Sequence, residues 1–282
     1  MKYGLVLEGG AMRGIFTAGV LDVLMENGIE FDGAVGVSAG AAFGCNVKSG
    51  QNGRVIRYTL RFAENKSFCS GKSFLMTGDL FGGEFCYHTI PEKLDIFDKE
   101  SFEKSPMEFF VVCTELATGK PFYHKIKRID YTELEWIRAS ASMPLVSKIV
   151  ELDGKRFLDG GISDSIPLAF MEKNGYEKNI VILTQPRNYV KEKTRSLSLM
   201  KMKYGKYPNF IKAVSDRHKM YNNELKYVRA SESSGKAFVI APDIQLPIGR
   251  IEHDMEVIQT VYRIGIRIAK EKIGSIMEFL SK

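Results

Sequence analysis

A serine set between glycines, Gly36-Val37-Ser38-Ala39-Gly40, and an aspartate followed by two more, Asp159-Gly160-Gly161, are the residues here whose types and spacing point to chemistry. A third piece, Glu8-Gly9-Gly10-Ala11-Met12-Arg13-Gly14, adds a turn whose backbone N–H groups can approach a ligand closely. Together they predict a serine hydrolase. Ser38 is the nucleophile and Asp159 the base that takes its proton. The N–H groups of Gly9, Gly10 and Ala11, with the fixed charge of Arg13, form an oxyanion hole, where losing one donor typically costs ~3 kcal/mol of barrier. A nucleophile elbow is a strained turn from strand into helix, so Gly36 and Gly40 are expected where the two backbones cross. An aspartate near its ordinary pKa of ~3.9 is a feeble base, so Asp159 must be partly desolvated, and Gly160 and Gly161 let the chain pack tightly enough to exclude water.

Such residues need a scaffold, and the flanking sequence reads as one. Residues 3–7 form a short apolar strand before the glycine turn, and Phe16, Val20, Val23 and Leu24 recur at helical spacing after it. Residues 32–37 read as a buried strand leading into Ser38, and the small residues from Ala39 to Gly44 open a helix. Residues 107–113 read as a further strand. Residues 148–152 and 156–159 read as a hairpin turning at Asp153-Gly154, so that Asp159 ends a strand. This alternation predicts an α/β fold of three layers, α/β/α, with a mainly parallel central sheet. A strand over 237–241 and a helix from about Asp254, carrying Met255, Ile258, Val261, Tyr262 and Ile266, complete the chain. The composition shifts after Pro186. The expected organisation is a catalytic domain over 1–186 and a basic, mostly helical C-terminal extension over 187–282, packed on it.

The chain resembles the patatin-like phospholipases, lipid acyl hydrolases with a Ser/Asp dyad. The family's D-G-G-G-x-R-G turn corresponds to Glu8 through Gly14, its G-x-S-x-G to Gly36 through Gly40, and its D-G-[GA] to Asp159 through Gly161. Further agreement comes, in the same order, from 112–119, from Ala139-Ser140-Ala141-Ser142-Met143-Pro144 and from Pro167, so that the similarity runs over roughly residues 3–186. Two positions depart from the pattern: Glu8 stands for the usual Asp, and Ala11 for the third glycine. Ala11 keeps its N–H, so the hole survives there provided the position does not require a positive φ. The resemblance implies a patatin-like fold and hydrolysis of acyl esters of phospholipids or related lipids, as a phospholipase A, lysophospholipase or lipid acyl hydrolase. The reaction would pass through an acyl-enzyme and needs no organic cofactor and no metal.

Other readings compete. A Ser-Asp-His triad is allowed by chain order, since His218 and His253 follow Asp159, but only one strand fits before the strand that ends at Ser38, too few for an α/β-hydrolase elbow. None of His88, His124, His218 and His253 sits in a motif. A non-catalytic lipid-binding or regulatory module with the same fold has no use for an elbow serine, and a carboxylesterase acting on short-chain soluble esters remains open. The glycine turn lacks both G-x-G-x-x-G and a Gly-Lys-Ser/Thr ending, which argues against a nucleotide loop and an oxidoreductase.

Composition sets the outer limits: 282 residues, 44% hydrophobic and 26% charged, fit an ordinary soluble chain. The apolar stretch near Met1 is too short for a secretory signal and no run is long enough to span a bilayer, so a cytoplasmic protein is expected, with peripheral contact at the inner membrane surface as an option. Cys45, Cys69, Cys86 and Cys113 form no C-x-x-C pair and read as reduced thiols. Residues 187–229 hold twelve Lys and Arg against three Asp and Glu, interleaved with Leu199, Met202, Tyr204 and Phe210. That mixture is either a solvated helical face or a contact for anionic lipid headgroups. No recognition motif for nucleic acid accompanies the charge. Residues 64–100, rich in glycine and large apolar side chains such as Phe68, Phe81 and Tyr87, read either as a lid lining an acyl-chain tunnel or as ordinary core. The partner expected is a lipid or acyl-ester substrate; oligomeric state is not encoded in these motifs.

Overall fold

Short β-branched and apolar runs build one sheet, as the alternation of elements predicts. The computed structural model describes residues 1–281; Lys282, the last residue of the expected C-terminal extension, lies outside them. In chain order the strands are β1 (Tyr3–Leu7), β2 (Gly33–Val37), β3 (Glu108–Glu115), β4 (Pro121–Ile126), β5 (Val150–Leu152), β6 (Lys155–Asp159), β7 (Lys178–Ile182) and β8 (Ala237–Ile240). Their spatial order is β5-β6-β3-β2-β1-β7-β8, with β4 also paired to β3. The five strands from β3 to β8 along that path are parallel, whereas β4 and β6 run antiparallel to β3 and β5 closes a hairpin with β6. The hairpin turns at Asp153 and Gly154, with φ of 49° and 72°. Two successive positive values are what a tight two-residue connection between right-twisted strands demands.

The helices are α1 (Gly14–Glu26), α2 (Ala39–Lys48), α3 (Arg54–Phe62), α4 (Gly71–Thr77), α5 (Lys99–Lys104), α6 (Tyr131–Ser140), α7 (Leu168–Lys173), α8 (Leu197–Tyr204), α9 (Pro208–Ser233) and α10 (Met255–Ser281). A π-helical stretch at Phe85–Leu94, holding Pro91, links α4 to α5. The strands are apolar at successive positions because both sheet faces are covered. Leu5, Leu7, Ala34, Phe109, Val111, Ile180 and Ile182 point to the side of α1, α2, α3 and α10. Their neighbours Val6, Val35, Val37, Val112 and Val181 point to the side of α7 and α9. The fold is thus α/β with three layers and a mainly parallel central sheet.

Beyond Pro186 the chain rejoins the same sheet, since β8 pairs in parallel with β7. Among the described residues no helix is long and apolar enough to cross a membrane.

Candidate active site

Strand register brings Ser38 and Asp159 to one level of the sheet although 120 positions separate them. Val37, the last residue of β2, pairs with Val112 of β3, and the next residue of β3, Cys113, pairs with Asp159 at the end of β6. Ser38 and Asp159 therefore leave strands on either side of β3, roughly two strand spacings, or about 10 Å, apart along the sheet, within reach of each other through their side chains. Ser38 has φ 56° and ψ −121° and caps α2. For a residue with a side chain that geometry costs on the order of 1–3 kcal/mol and persists only where its surroundings enforce it. The enforcement is visible: a Cβ on Gly36 would lie 2.5 Å from the Gly40 carbonyl oxygen, and one on Gly40 would lie 2.4 Å from that of Leu7. The Ser38 N–H donates to the Ser140 hydroxyl at 3.0 Å, which fixes the elbow against the end of α6.

Asp159 is buried. Its backbone N–H donates to the Ser142 carbonyl at 2.8 Å, its carbonyl accepts from the Thr114 hydroxyl at 2.8 Å, and its Oδ1 accepts the Gly161 N–H at 2.8 Å. Burial pushes its pKa above the ordinary aspartate value, opposed by the Arg217 charge and by hydrogen bonds from the Ser38 hydroxyl and the Gly161 N–H. The carboxylate is thereby made more basic while remaining aimed at the serine, the pairing that proton abstraction asks for.

The glycine turn follows β1, beside the switch point where the chain leaves one side of β1 for β2 and the other for β7. Among the described residues, no group of the protein accepts the N–H of Gly9, Gly10 or Ala11. A Cβ on Gly9 would stand 2.8 Å from the Ser38 Cβ, so this turn abuts the elbow directly. Ala11 has φ 50°, so the position does call for the left-handed conformation that the missing glycine would have supplied freely. The proviso stated for the hole, that this position not require a positive φ, is therefore not met, and the substitution stores strain in the turn. Glu8, the other departure, is buried and takes the Thr184 N–H and the Tyr221 hydroxyl, each at 2.6 Å. The Thr184 hydroxyl in turn donates to the Gly9 carbonyl at 2.8 Å. The turn is therefore held from β7's end and from α9. Burial raises the Glu8 pKa against those hydrogen bonds, and the guanidinium of Arg13, whose Nε is buried without an acceptor, adds attraction.

Ser38 stands where two cavities meet. One is apolar, about 110 Å³, walled by Phe68, Phe81, Tyr87 and Ile90 from residues 64–100 and by Met12 and Ile137. The other is polar, about 730 Å³, and runs past Asp159 to Lys191, Arg217 and Arg250. Parts of the 64–100 segment therefore wall the first cavity, while Leu75 and Met76 of α4 face solvent. His218 lines the polar cavity, but among the described residues no histidine is hydrogen-bonded to Ser38 or Asp159. His88 and His124 sit 2.8 Å from Glu135 and Glu133, and the Nδ1 atoms of His218 and His253 face the carbonyls of Ser215 and Ala63. The four cysteines are free, and among the described residues no cluster of metal-ligating side chains is found.

Tyr221, Arg217, Lys191 and Arg250 were not singled out by sequence reasoning, because nothing local in the sequence distinguishes them from surface charge. Ser140 had a signal only as part of the stretch 139–144.

Comparison with known proteins gives two family matches. The model described as patatin-like phospholipase matches residues 5–171, and one described as a domain of unknown function, DUF6363, matches residues 207–281. The chain is 33% identical over 202 residues to the uncharacterised protein YjjU of Escherichia coli, an overlap of 66% of this chain and 52% of that one. It is 26% identical over 168 residues to an uncharacterised NTE family protein of Mycobacterium bovis, covering 60% and 45%. With a lysophospholipase of Aspergillus oryzae it shares 28% identity over 179 residues, covering 61% and 11%. The chain thus spans about half the length, or less, of the curated relatives it matches. Among solved structures, VipD from Legionella pneumophila aligns over 97% of this chain and 67% of its own, with a TM-score of 0.48 and 11% identity.

Proposed function

The chain belongs to the patatin-like phospholipase family, and from that premise we propose that it is a lipid acyl hydrolase of the lysophospholipase or phospholipase A type, working through Ser38 and Asp159. The observation that carries the reading is the meeting of a strained serine, a buried carboxylate and unpaired backbone N–H groups at the mouth of an apolar cavity.

In this mechanism the Ser38 hydroxyl attacks the acyl carbonyl carbon while Asp159 accepts its proton. The carbonyl oxygen becomes an oxyanion facing the N–H groups of Gly9, Gly10 and Ala11. Collapse breaks the ester C–O bond, the leaving alcohol takes the proton back from Asp159, and the acyl group stays on Ser38. Water then attacks that ester with Asp159 again as base, releasing the fatty acid and restoring the serine. The acyl chain occupies the apolar cavity and the alcohol half lies in the polar one. Because a cavity of about 110 Å³ is smaller than the ~150 Å³ that admits a benzene ring, the space already open suits a short acyl segment. Longer chains require the wall built by residues 64–100 to move outward, as a lid. The same cavity size favours, as a second reading, a carboxylesterase acting on short-chain soluble esters.

We place the protein at an anionic membrane surface through α8, where Leu199 is 52% and Met202 80% exposed beside the exposed Lys201 and Lys203. A fluorophosphonate probe tests the catalytic reading: wild-type protein should be labelled and folded Ser38→Ala should not. Unlabelled wild type, or labelling that survives Ser38→Ala, rejects it in favour of a non-catalytic lipid-binding module or a different nucleophile.

A further inference from the structure

The polar cavity beside Ser38 carries more positive charge than the mechanism uses. Arg13, Lys191, Arg217 and Arg250 line it together with Lys193 and Arg195, against the three carboxylates of Glu8, Asp159 and Glu192. Among the described residues none of the first four cations has a carboxylate oxygen within salt-bridge distance. Arg57, Arg138, Arg156, Arg187 and Arg267 elsewhere in the molecule all do. Glu8 spends its oxygens on Thr184 and Tyr221, and Asp159 spends Oδ1 on the Gly161 N–H.

Lys191 is the most telling of the four. Its ammonium lies 4.4 Å from the Tyr221 ring centre and 5.8 Å from that of Tyr189, two rings packed edge to face, so it is held on an aromatic shelf rather than left in bulk water. Burial, with the charges of Arg217 and Arg250 adding to it, pushes its pKa down to about 8 against the attraction of Glu8, the response of a cation confined among other cations. Arg217 places Nε on the Gly161 carbonyl, which leaves the other face of its guanidinium to the cavity. Keeping cations together in a partly desolvated pocket is unfavourable unless an anion joins them.

On the reading that Ser38 hydrolyses a lipid ester, we propose that this cavity is a binding site for an anionic phosphate headgroup, with Lys191, Arg217 and Arg250 as its ligands, so that the substrate is an acyl glycerophosphate of net negative charge rather than a choline or ethanolamine lipid. A phosphate carried on the same glycerol as the scissile ester falls naturally in a cavity that starts at the nucleophile. The positive excess there repels a choline ammonium as it attracts the phosphate. The residues responsible lie beyond residue 186, outside the stretch 5–171 that the patatin-like family model matches.

Calorimetric titration of the folded Ser38→Ala protein, which separates binding from turnover, tests this. The ligands are 1-lauroyl lysophosphatidic acid and 1-lauroyl lysophosphatidylcholine below their micelle concentrations, with sn-glycerol 3-phosphate as a chainless comparison. The lysophosphatidic acid should bind about tenfold tighter than the choline lipid. Adding Lys191→Met, which keeps an apolar stem over the tyrosine rings, or Arg250→Gln at an exposed position, should remove most of that advantage. Equal affinity for the two lipids, or an advantage untouched in both folded double variants, overturns the proposal. Glycerol 3-phosphate binding as tightly as the lysophosphatidic acid overturns the lipid assignment in favour of a soluble phosphate compound. Failure of fluorophosphonate labelling would strike the catalytic reading alone and leave this comparison standing.

Discussion

Leu145, in the wall of the polar cavity, has φ 72°, and in the elbow and the glycine turn Ser38 and Ala11 hold side chains in the same left-handed half of backbone space, at φ 56° and 50°. Both strains sit within one turn of the proposed reacting carbonyl, where a rigid, pre-shaped backbone is worth more than the stability it costs. In the proposed mechanism the decisive chemistry rests on Asp159. Since only its ionised form can accept the serine proton, and burial raises its pKa, activity must be lost as pH falls through that raised value. On a neutral soluble ester the acidic limb of kcat/KM should therefore have its midpoint above the ~3.9 of an ordinary aspartate. Asp159→Asn should lower kcat by about 10³-fold or more, whereas His253→Ala should leave turnover in place. A folded His253→Ala protein without activity would return the triad to consideration.

At the scale of elements, α9 joins the parts of the site together. Arg217, Tyr221 and Glu224, at spacings of four and three, share one face of it, and each meets a different piece of the catalytic region. Arg217 bonds the Gly161 carbonyl, Tyr221 bonds Glu8, and Glu224 accepts the N–H groups of Ser165 and Ile166 at 3.1–3.2 Å. Glu224 also faces the Asp164 carboxyl, which takes the Tyr123 hydroxyl at 2.5 Å. Burial and that neighbouring carboxyl raise its pKa, so the folded state holds a proton that the unfolded chain releases once pH exceeds the ordinary glutamate value. Stability from this pair is full at low pH and declines as pH rises toward the raised folded value, by up to ~1.4 kcal/mol per pH unit. Glu224→Gln should flatten the decline in melting temperature between neutral and alkaline pH. An unchanged slope in the variant would show that the proton is not held there.

For the whole molecule, the sheet's carboxyl edge carries the proposed chemistry, one cavity accommodates the apolar half of a substrate, and the other gathers charge. Much of the basic character of 187–229 turns inward to this cleft or into ion pairs such as Arg187 with Glu232, while Lys201 and Lys203 of α8 stay outside with Leu199 and Met202. If α8 meets lipid, vesicles containing anionic lipid should sediment more protein than neutral ones at low salt, since each basic residue near the surface adds ~1 kcal/mol. The difference should shrink when Lys201 and Lys203 are replaced by Gln. Indifference to vesicle charge would remove the surface contact from the account.

The sequence alone determined what short-range rules govern. The elbow, the glycine turn, the hairpin ending at Asp159 and the doubly covered strands are each set by local spacing: glycine where backbones cross, apolar residues where both faces are buried. It also left readings open for local reasons. The conformation of Ala11 depends on how α1 enters from the turn, and the polar stripe on α9 looks like a solvated face because charge at helical spacing does not announce what it faces. Only the tertiary structure decided that the stripe packs against Glu8, Gly161 and the 165–166 backbone, that residues 64–100 wall a cavity, and that Lys191 and Arg250 gather beside the serine. Those facts depend on register across β3 and on helices returning from far along the chain, and long-range contacts of that kind leave no periodic trace in the residues that make them.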